Sequence, residues 1–261
     1  MAERQFVKTT LEDRVAILTI DHPPVNALSA ATMAELSDAV DELVANPEVK
    51  AVVITGAGQI AFVAGADINE FTQVQSAQMA VDASRRGQDV FSKIENAPKP
   101  FVAAINGVCL GGGMELALAC HMRIIGDRAK MGQPEINLGI IPGWGGTQRL
   151  PRLVGKAKAI ELILTGDQIT AQEAYRLNLV NKVVPGGEVL KTARDLGKKM
   201  AQKSLVTIRA ALDAITCGGA KPMAEGLQCE ASQFGILFET EDMREGVAAF
   251  LQKRQPAFKD K

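Results

Sequence analysis

Two glutamates keep company that suits no ordinary surface charge. Glu115 sits in Gly111–Gly112–Gly113–Met114–Glu115–Leu116–Ala117–Leu118–Ala119, and Glu135 in Met131–Gly132–Gln133–Pro134–Glu135–Ile136–Asn137–Leu138–Gly139. An acid among apolar side chains must enter a cavity or find a partner, and either circumstance perturbs its pKa. Two such acids, one after each of two successive elements, could converge on one pocket and divide the roles of proton donor and acceptor. The glycines before Glu115 bring a second chemistry. The first N–H groups of a helix lack internal acceptors, and residues without side chains let a ligand reach them, so Gly111–Gly112–Gly113 fits a site for developing negative charge. The same residues also fit a plainer role, close packing of helix on strand with Glu115 as a first-turn acid favoured by the helix dipole.

Apolar periodicity gives the elements that carry these residues. Phe6–Leu11 and the β-branched run Val15–Ile20, separated by Glu12–Asp13–Arg14, predict a hairpin. Helical spacing from Ala30 to Ala45 after a capping Ser29 predicts a helix, and Ala51–Thr55 a buried strand. Ser76–Asn96 reads as a long surface helix stopped by Pro98–Lys99–Pro100. Phe101–Ile105 and Met122–Ile125 read as strands on either side of a short helix, Gly112–Cys120. Strands alternating with helices up to about Val184 predict an α/β core over residues 1–184. Glu188–Lys203, Leu205–Thr216, Pro222–Phe238 and Asp242–Arg254 all read as helices, which makes 185–261 a helical region. Its apolar residues, among them Phe234, Ile236, Phe238, Val247 and Phe250, call for a cover drawn from the core and from a neighbouring subunit.

Composition narrows the function classes. The 261 residues are 47% hydrophobic and 23% charged, which is ordinary for a folded enzyme-sized protein. With 29 Lys+Arg against 30 Asp+Glu the net charge is −1, so no bulk field draws the chain to nucleic acid or to an anionic membrane. No apolar run is long enough to span a bilayer. The amino terminus carries Glu3, Arg4 and Lys8 and lacks an apolar secretory region, so a reducing cytoplasm is the expected address, with free thiols at Cys109, Cys120, Cys217 and Cys229. A processed organellar protein would read the same way. The cysteines have no CxxC spacing, and His22 and His121 have no second ligand nearby in sequence, so no metal site is expected.

Other motifs are weaker. Gly56–Ala57–Gly58–Gln59–Ile60–Ala61 follows a strand and imitates a dinucleotide fingerprint, but Gly65 comes too soon for a phosphate-binding helix, so a plain turn is expected. No Walker loop follows either glycine cluster, and neither histidine has a nucleophile elbow. Trp144, the one tryptophan, lies in Gly143–Trp144–Gly145–Gly146 and suits either a hydrophobic anchor or a pocket wall.

These residues together resemble the enoyl-CoA hydratase/isomerase, or crotonase, family over nearly the whole chain. The resemblance is carried by Ala61–Phe62–Val63–Ala64–Gly65–Ala66–Asp67–Ile68, by Lys99–Pro100 through Gly107 into Leu110–Gly111–Gly112–Gly113–Met114–Glu115, and by Gly132–Gln133–Pro134–Glu135 through Pro142–Gly143. Gly145–Gly146–Thr147–Gln148–Arg149–Leu150 and Leu164–Thr165–Gly166 extend it.

The resemblance implies a ClpP-like spiral of ββα units and a carboxy-terminal helical region that forms homotrimers, commonly paired into hexamers. It implies an acyl-CoA thioester substrate whose oxygen is held by the N–H groups of Ala66 and Gly112. Glu115 would deprotonate the water that attacks C3, and Glu135 would deliver a proton to C2. Relatives that only shift a double bond often keep just the second acid, so the presence of both favours hydration. The resemblance further places Ala64, Asp67, Ile68, Gly111, Pro134, Gly143 and Trp144 along the substrate. It also puts Asn26, Ala27 and Leu28 near CoA, with Phe234 and Lys253 approaching it from the helical tail. No metal or redox cofactor is implied, since CoA is part of the substrate. The alternatives are another reaction on a CoA thioester, such as isomerisation, dienoyl-CoA hydration or hydrolysis, and outside enzymology an inactive scaffold or an RNA-binding relative.

Overall fold

The structure is a computed structural model that describes residues 4–219 and 221–261. It opens with β1 (Val7–Glu12) and β2 (Val15–Ile20), joined by Asp13 and Arg14, whose φ angles of 50° and 64° are those of a two-residue hairpin loop. Next comes α1 (Ala30–Ala45), capped by the Ser29 hydroxyl, which accepts the Thr32 N–H at 3.1 Å. The chain then repeats one path: a strand in a large sheet, a three-residue strand in a small sheet, and a helical segment. The first turn is β3 (Ala51–Gly56), β4 (Ala61–Val63), α2 (Ile68–Phe71) and α3 (Ala77–Glu95). The second is β5 (Phe101–Ile105), β6 (Val108–Leu110) and α4 (Gly112–Ala119). The third is β7 (Met122–Gly126), β8 (Lys130–Gly132) and a 3-10 turn over Pro134–Leu138. After α5 (Gly146–Val154) and α6 (Lys156–Thr165), β9 (Gln168–Thr170), α7 (Ala171–Arg176) and β10 (Lys182–Val184) complete the two sheets.

The large sheet runs β1-β2-β3-β5-β7-β10 and is parallel beyond the first hairpin, while the small sheet runs β4-β6-β8-β9. Successive turns thus stack in register as the ββα spiral. Every residue of β3 and β5 is buried, which is why both strands are continuous apolar runs rather than alternating ones. One face of the large sheet meets α1, α3 and α4 in a core containing Leu18, Ile54, Phe91, Met114 and Leu116. The other face, with Val15, Val53, Val102 and Ile124, is covered by Val189, Ala193 and Ala201 of α8 (Val189–Ala201).

The last elements are α9 (Leu205–Gly219), α10 (Met223–Leu237) and α11 (Glu241–Leu251). Ala210 is the buried residue of α9, and α10 has none; Phe234, Ile236, Phe238, Val247 and Phe250 are exposed. The tail then turns back. Buried Asp242 accepts the N–H groups of Lys259 at 2.7 Å and Asp260 at 2.9 Å, and the Asp260 carboxylate meets Lys50 at 2.6 Å and Arg14 at 3.2 Å. One expectation is corrected here. Cys109 and Cys120 are free and buried, but Cys217 and Cys229 form a disulfide, because α9 and α10 fold back on each other and bring their Cα atoms to 6.3 Å.

Candidate active site

Glu115 belongs to the first turn of α4, a helix whose residues are all buried. Its side chain is 2% exposed, and its Oε1 accepts the N–H groups of Trp144 and Gly146, each at 2.8 Å. Those two donors come from a loop pinned from outside. Gln88 of α3 donates to the Gly143 carbonyl at 2.9 Å, and Arg149, itself paired with Glu95 at 2.7 Å, donates to the Trp144 carbonyl at 3.0 Å. Burial pushes the Glu115 carboxyl above its ordinary value, against the opposing pull of the loop N–H groups and the Arg149 charge.

Glu135 lies in the 3-10 turn after β8 and is half-buried. Burial, together with the nearby Glu115 charge, pushes its pKa up to about 7. Its Oε1 faces the backbone of Gly111, where an added Cβ would stand 3.1 Å away. Fully buried Gln133, with its amide nitrogen turned toward Glu135, donates to both carboxylate oxygens at 2.9 and 3.1 Å. The same amide end fills the space beside Gly146. Gln133 therefore bridges the loop that holds Glu115 and the carboxylate of Glu135, and the two acids share one neighbourhood.

Parallel pairing of β4 with β6 sets Gly65–Ala66 beside Gly111–Gly112. Leu28 donates to the Gly65 carbonyl at 2.9 Å, and Asp67 donates to the Leu28 carbonyl at 3.1 Å. Between them the Ala66 N–H has no protein acceptor among the described residues, and neither has the Gly112 N–H at the start of α4. A Cβ on Gly112 would stand only 3.6 Å from the Ala66 nitrogen. Two free amides thus lie side by side, next to Glu135.

Trp144 is an anchor packed between α3 and α4. Its ring carbons Cζ3 and Cε3 would be 2.5 and 2.8 Å from a Cβ on Gly112, and its other edge fills the corresponding space at Gly87 of α3. The indole meets Phe91 edge-on, with ring centroids 5.8 Å apart. Only glycine at both positions admits it.

The remaining expected residues divide. Ala64, Asp67, Gly111, Pro134 and Gly143 lie on segments that frame the acids and amides, and exposed Ile68 opens α2, capped by the Asp67 carboxylate. Leu28 bridges to Ala66, and the Ala27 carbonyl contacts His22 Nδ1 at 2.8 Å. Asn26 is buried, and its amide donates to the carbonyls of Ala57 and Ala61, so it locks the loop. Phe234 stands exposed beside Phe238 on α10, and exposed Lys253 follows α11; among the described residues neither side chain has a hydrogen bond or ion pair. Gln133, Gly87 and Arg149 carry much of the site's geometry, yet nothing in their spacing announces it. Among the described residues no three of His, Cys, Asp or Glu gather as metal ligands.

A family model described as enoyl-CoA hydratase/isomerase matches residues 10–261. The chain belongs to the enoyl-CoA hydratase/isomerase family. Within this family it is 45% identical over 254 residues to a protein of Bacillus subtilis named probable enoyl-CoA hydratase, covering 97% of this chain and 98% of that one. It is also 45% identical over 248 residues to the crotonyl-CoA hydratase of Syntrophomonas wolfei, covering 95% of each. The solved structure of an enoyl-CoA hydratase from Bacillus anthracis is similar with a TM-score of 0.94 at 37% identity, covering 98% of this chain and 100% of that one.

Proposed function

We propose that this enzyme adds water reversibly across the 2,3 double bond of a 2-enoyl-CoA to give a 3-hydroxyacyl-CoA. The observation that carries the reading is the pair of acids with raised pKa values beside two adjacent unpaired amides. The thioester oxygen is held by the Ala66 and Gly112 N–H groups, each donor worth about 3 to 4 kcal/mol toward the enolate-like state. Glu115 holds a water and takes its proton as the oxygen attacks C3. Glu135 gives its proton to C2, and Gln133 steadies the carboxylate left behind. Proton transfer with an oxyanion site requires no cofactor beyond the CoA of the substrate.

Trp144 closes the space beside Gly112 and favours a short acyl chain, in keeping with the crotonyl-CoA hydratase among the relatives. The exposed apolar residues of α10 and α11 suit packing against further copies in a homotrimer or homohexamer, from which Phe234 and Lys253 would approach CoA. No described helix is long and apolar enough to cross a membrane, and a cytoplasmic address suits the acyl-CoA substrate. The test is loss of the conjugated-thioester absorbance of crotonyl-CoA. Glu115→Gln and Glu135→Gln should each lower turnover by about 10² to 10⁴, the usual worth of a positioned acid or base. Near-native hydration by both variants would overturn the assignment.

A further inference from the structure

We infer that Cys217 and Cys229 form a reversible dithiol–disulfide pair served by Lys221, and that its state sets how firmly α10 is held on α9. The disulfide joins two helices with little anchorage in the core, since α10 buries no residue and α9 buries Ala210. The helices meet closely at Gly218 and Gly226, where a Cβ on either would stand 3.4 Å from the other's Cα. The two helices therefore lean mainly on each other, and the cross-link adds a covalent tie to that packing.

The surroundings of the sulfurs suit exchange. The Lys221 ammonium lies 3.4 Å from Cys217 Sγ and 3.6 Å from Cys229 Sγ. A cation beside both sulfurs stabilises whichever one departs as thiolate, which speeds cleavage. Both cysteines are half-buried, and a cleft of about 320 Å³ lined by Asn96, Leu212, Asp213 and Gln233 reaches Cys217. The co-reactant is a dithiol. One of its thiolates attacks a sulfur of the pair, the S–S bond breaks, and the electron pair leaves on the other sulfur beside Lys221. The second thiol of the reductant then resolves the mixed disulfide, which leaves Cys217 and Cys229 as thiols and the reductant oxidised. Cys109 and Cys120 supply an internal contrast, because complete burial pushes both thiols far up, Cys120 to about 12, and keeps them inert.

The test places the intact protein at neutral pH in graded mixtures of reduced and oxidised dithiothreitol, then labels free thiols with a maleimide and maps them by mass. Labels should appear at Cys217 and Cys229 together and disappear on reoxidation, while Cys109 and Cys120 label only in denaturant. Lys221→Met should slow reduction several-fold, and Lys221→Arg should restore the rate. Amide hydrogen exchange in α9 and α10 should quicken on reduction and match that of a Cys217→Ser/Cys229→Ser variant. A link that resists dithiothreitol without denaturant, equal reduction rates with and without the Lys221 ammonium, or unchanged exchange in both helices would each overturn the inference.

Discussion

Hydration as proposed starts with Glu115 as carboxylate and Glu135 as acid, and dehydration starts with those states exchanged. Both directions therefore need the pair to hold one proton in total. Because the reaction takes up no net proton, its equilibrium constant is independent of pH, and kcat/KM must follow the same profile in both directions. Burial and the Glu115 charge raise Glu135 to about 7, so above that pH the last proton leaves and both rates fall. An acid limb follows once the second carboxyl is protonated, and both limbs belong to the coupled pair. Initial rates from crotonyl-CoA and from 3-hydroxybutyryl-CoA across pH would check this; an alkaline limb in one direction alone would contradict it. Both glutamates are legible in the sequence because each is a lone acid in an apolar run. Gln133 is not, because a polar residue before a proline fits any loop.

Helix α1 follows from apolar spacing and its Ser29 cap, and α3 from its length and polarity ahead of Pro98–Lys99–Pro100; the structure has both, and adds a Ser76 cap to α3 that is no part of the sequence reading. The strands β4, β6 and β8 do not follow from the sequence, since three residues are too few to display a period. Yet these short strands bring Ala66, Gly112 and Glu135 together, so the scaffold can be read from sequence more readily than the convergence it produces. The Pro142–Gly146 loop carries a further prediction. Trp144→Ala removes the ring beside Gly112, so the ratio of kcat/KM for long to short enoyl thioesters should rise. The ratio is the proper readout, because losing the indole also costs about 3 to 5 kcal/mol of stability and lowers the folded fraction for every substrate alike. An unchanged ratio would remove Trp144 from chain-length selection.

The assembled chain is closed by its own tail. Lys50 has a side chain only 3% exposed, and its partners are the Lys203 carbonyl at 2.9 Å and the Asp260 carboxylate. Asp260→Ala strands that ammonium and should cost about 3 kcal/mol, the usual penalty for breaking a buried pair. Urea denaturation measures the loss. Turnover of the remaining folded protein should stay near the wild-type value, because Arg14 and Lys50 precede the opening ends of β2 and β3, whereas Ala66 pairs with Leu28, beyond the closing end of β2. A drop in kcat at full folding would show that the tail reaches the site. The helical character of the last quarter is plain from its periodicity, but this closure is not, because it depends on single carboxylates meeting partners almost a whole chain away.

The chain contains one tryptophan, and it rests against Gly112 while its main-chain amide holds Glu115. Indole emission from this protein thus originates at a single known point, and arrival of a thioester at the amides should change its intensity or wavelength without any attached dye. A titration read in this way reports occupancy at equilibrium even in Glu115→Gln or Glu135→Gln, where turnover is too slow to follow. Trp144→Phe should leave the titration dark.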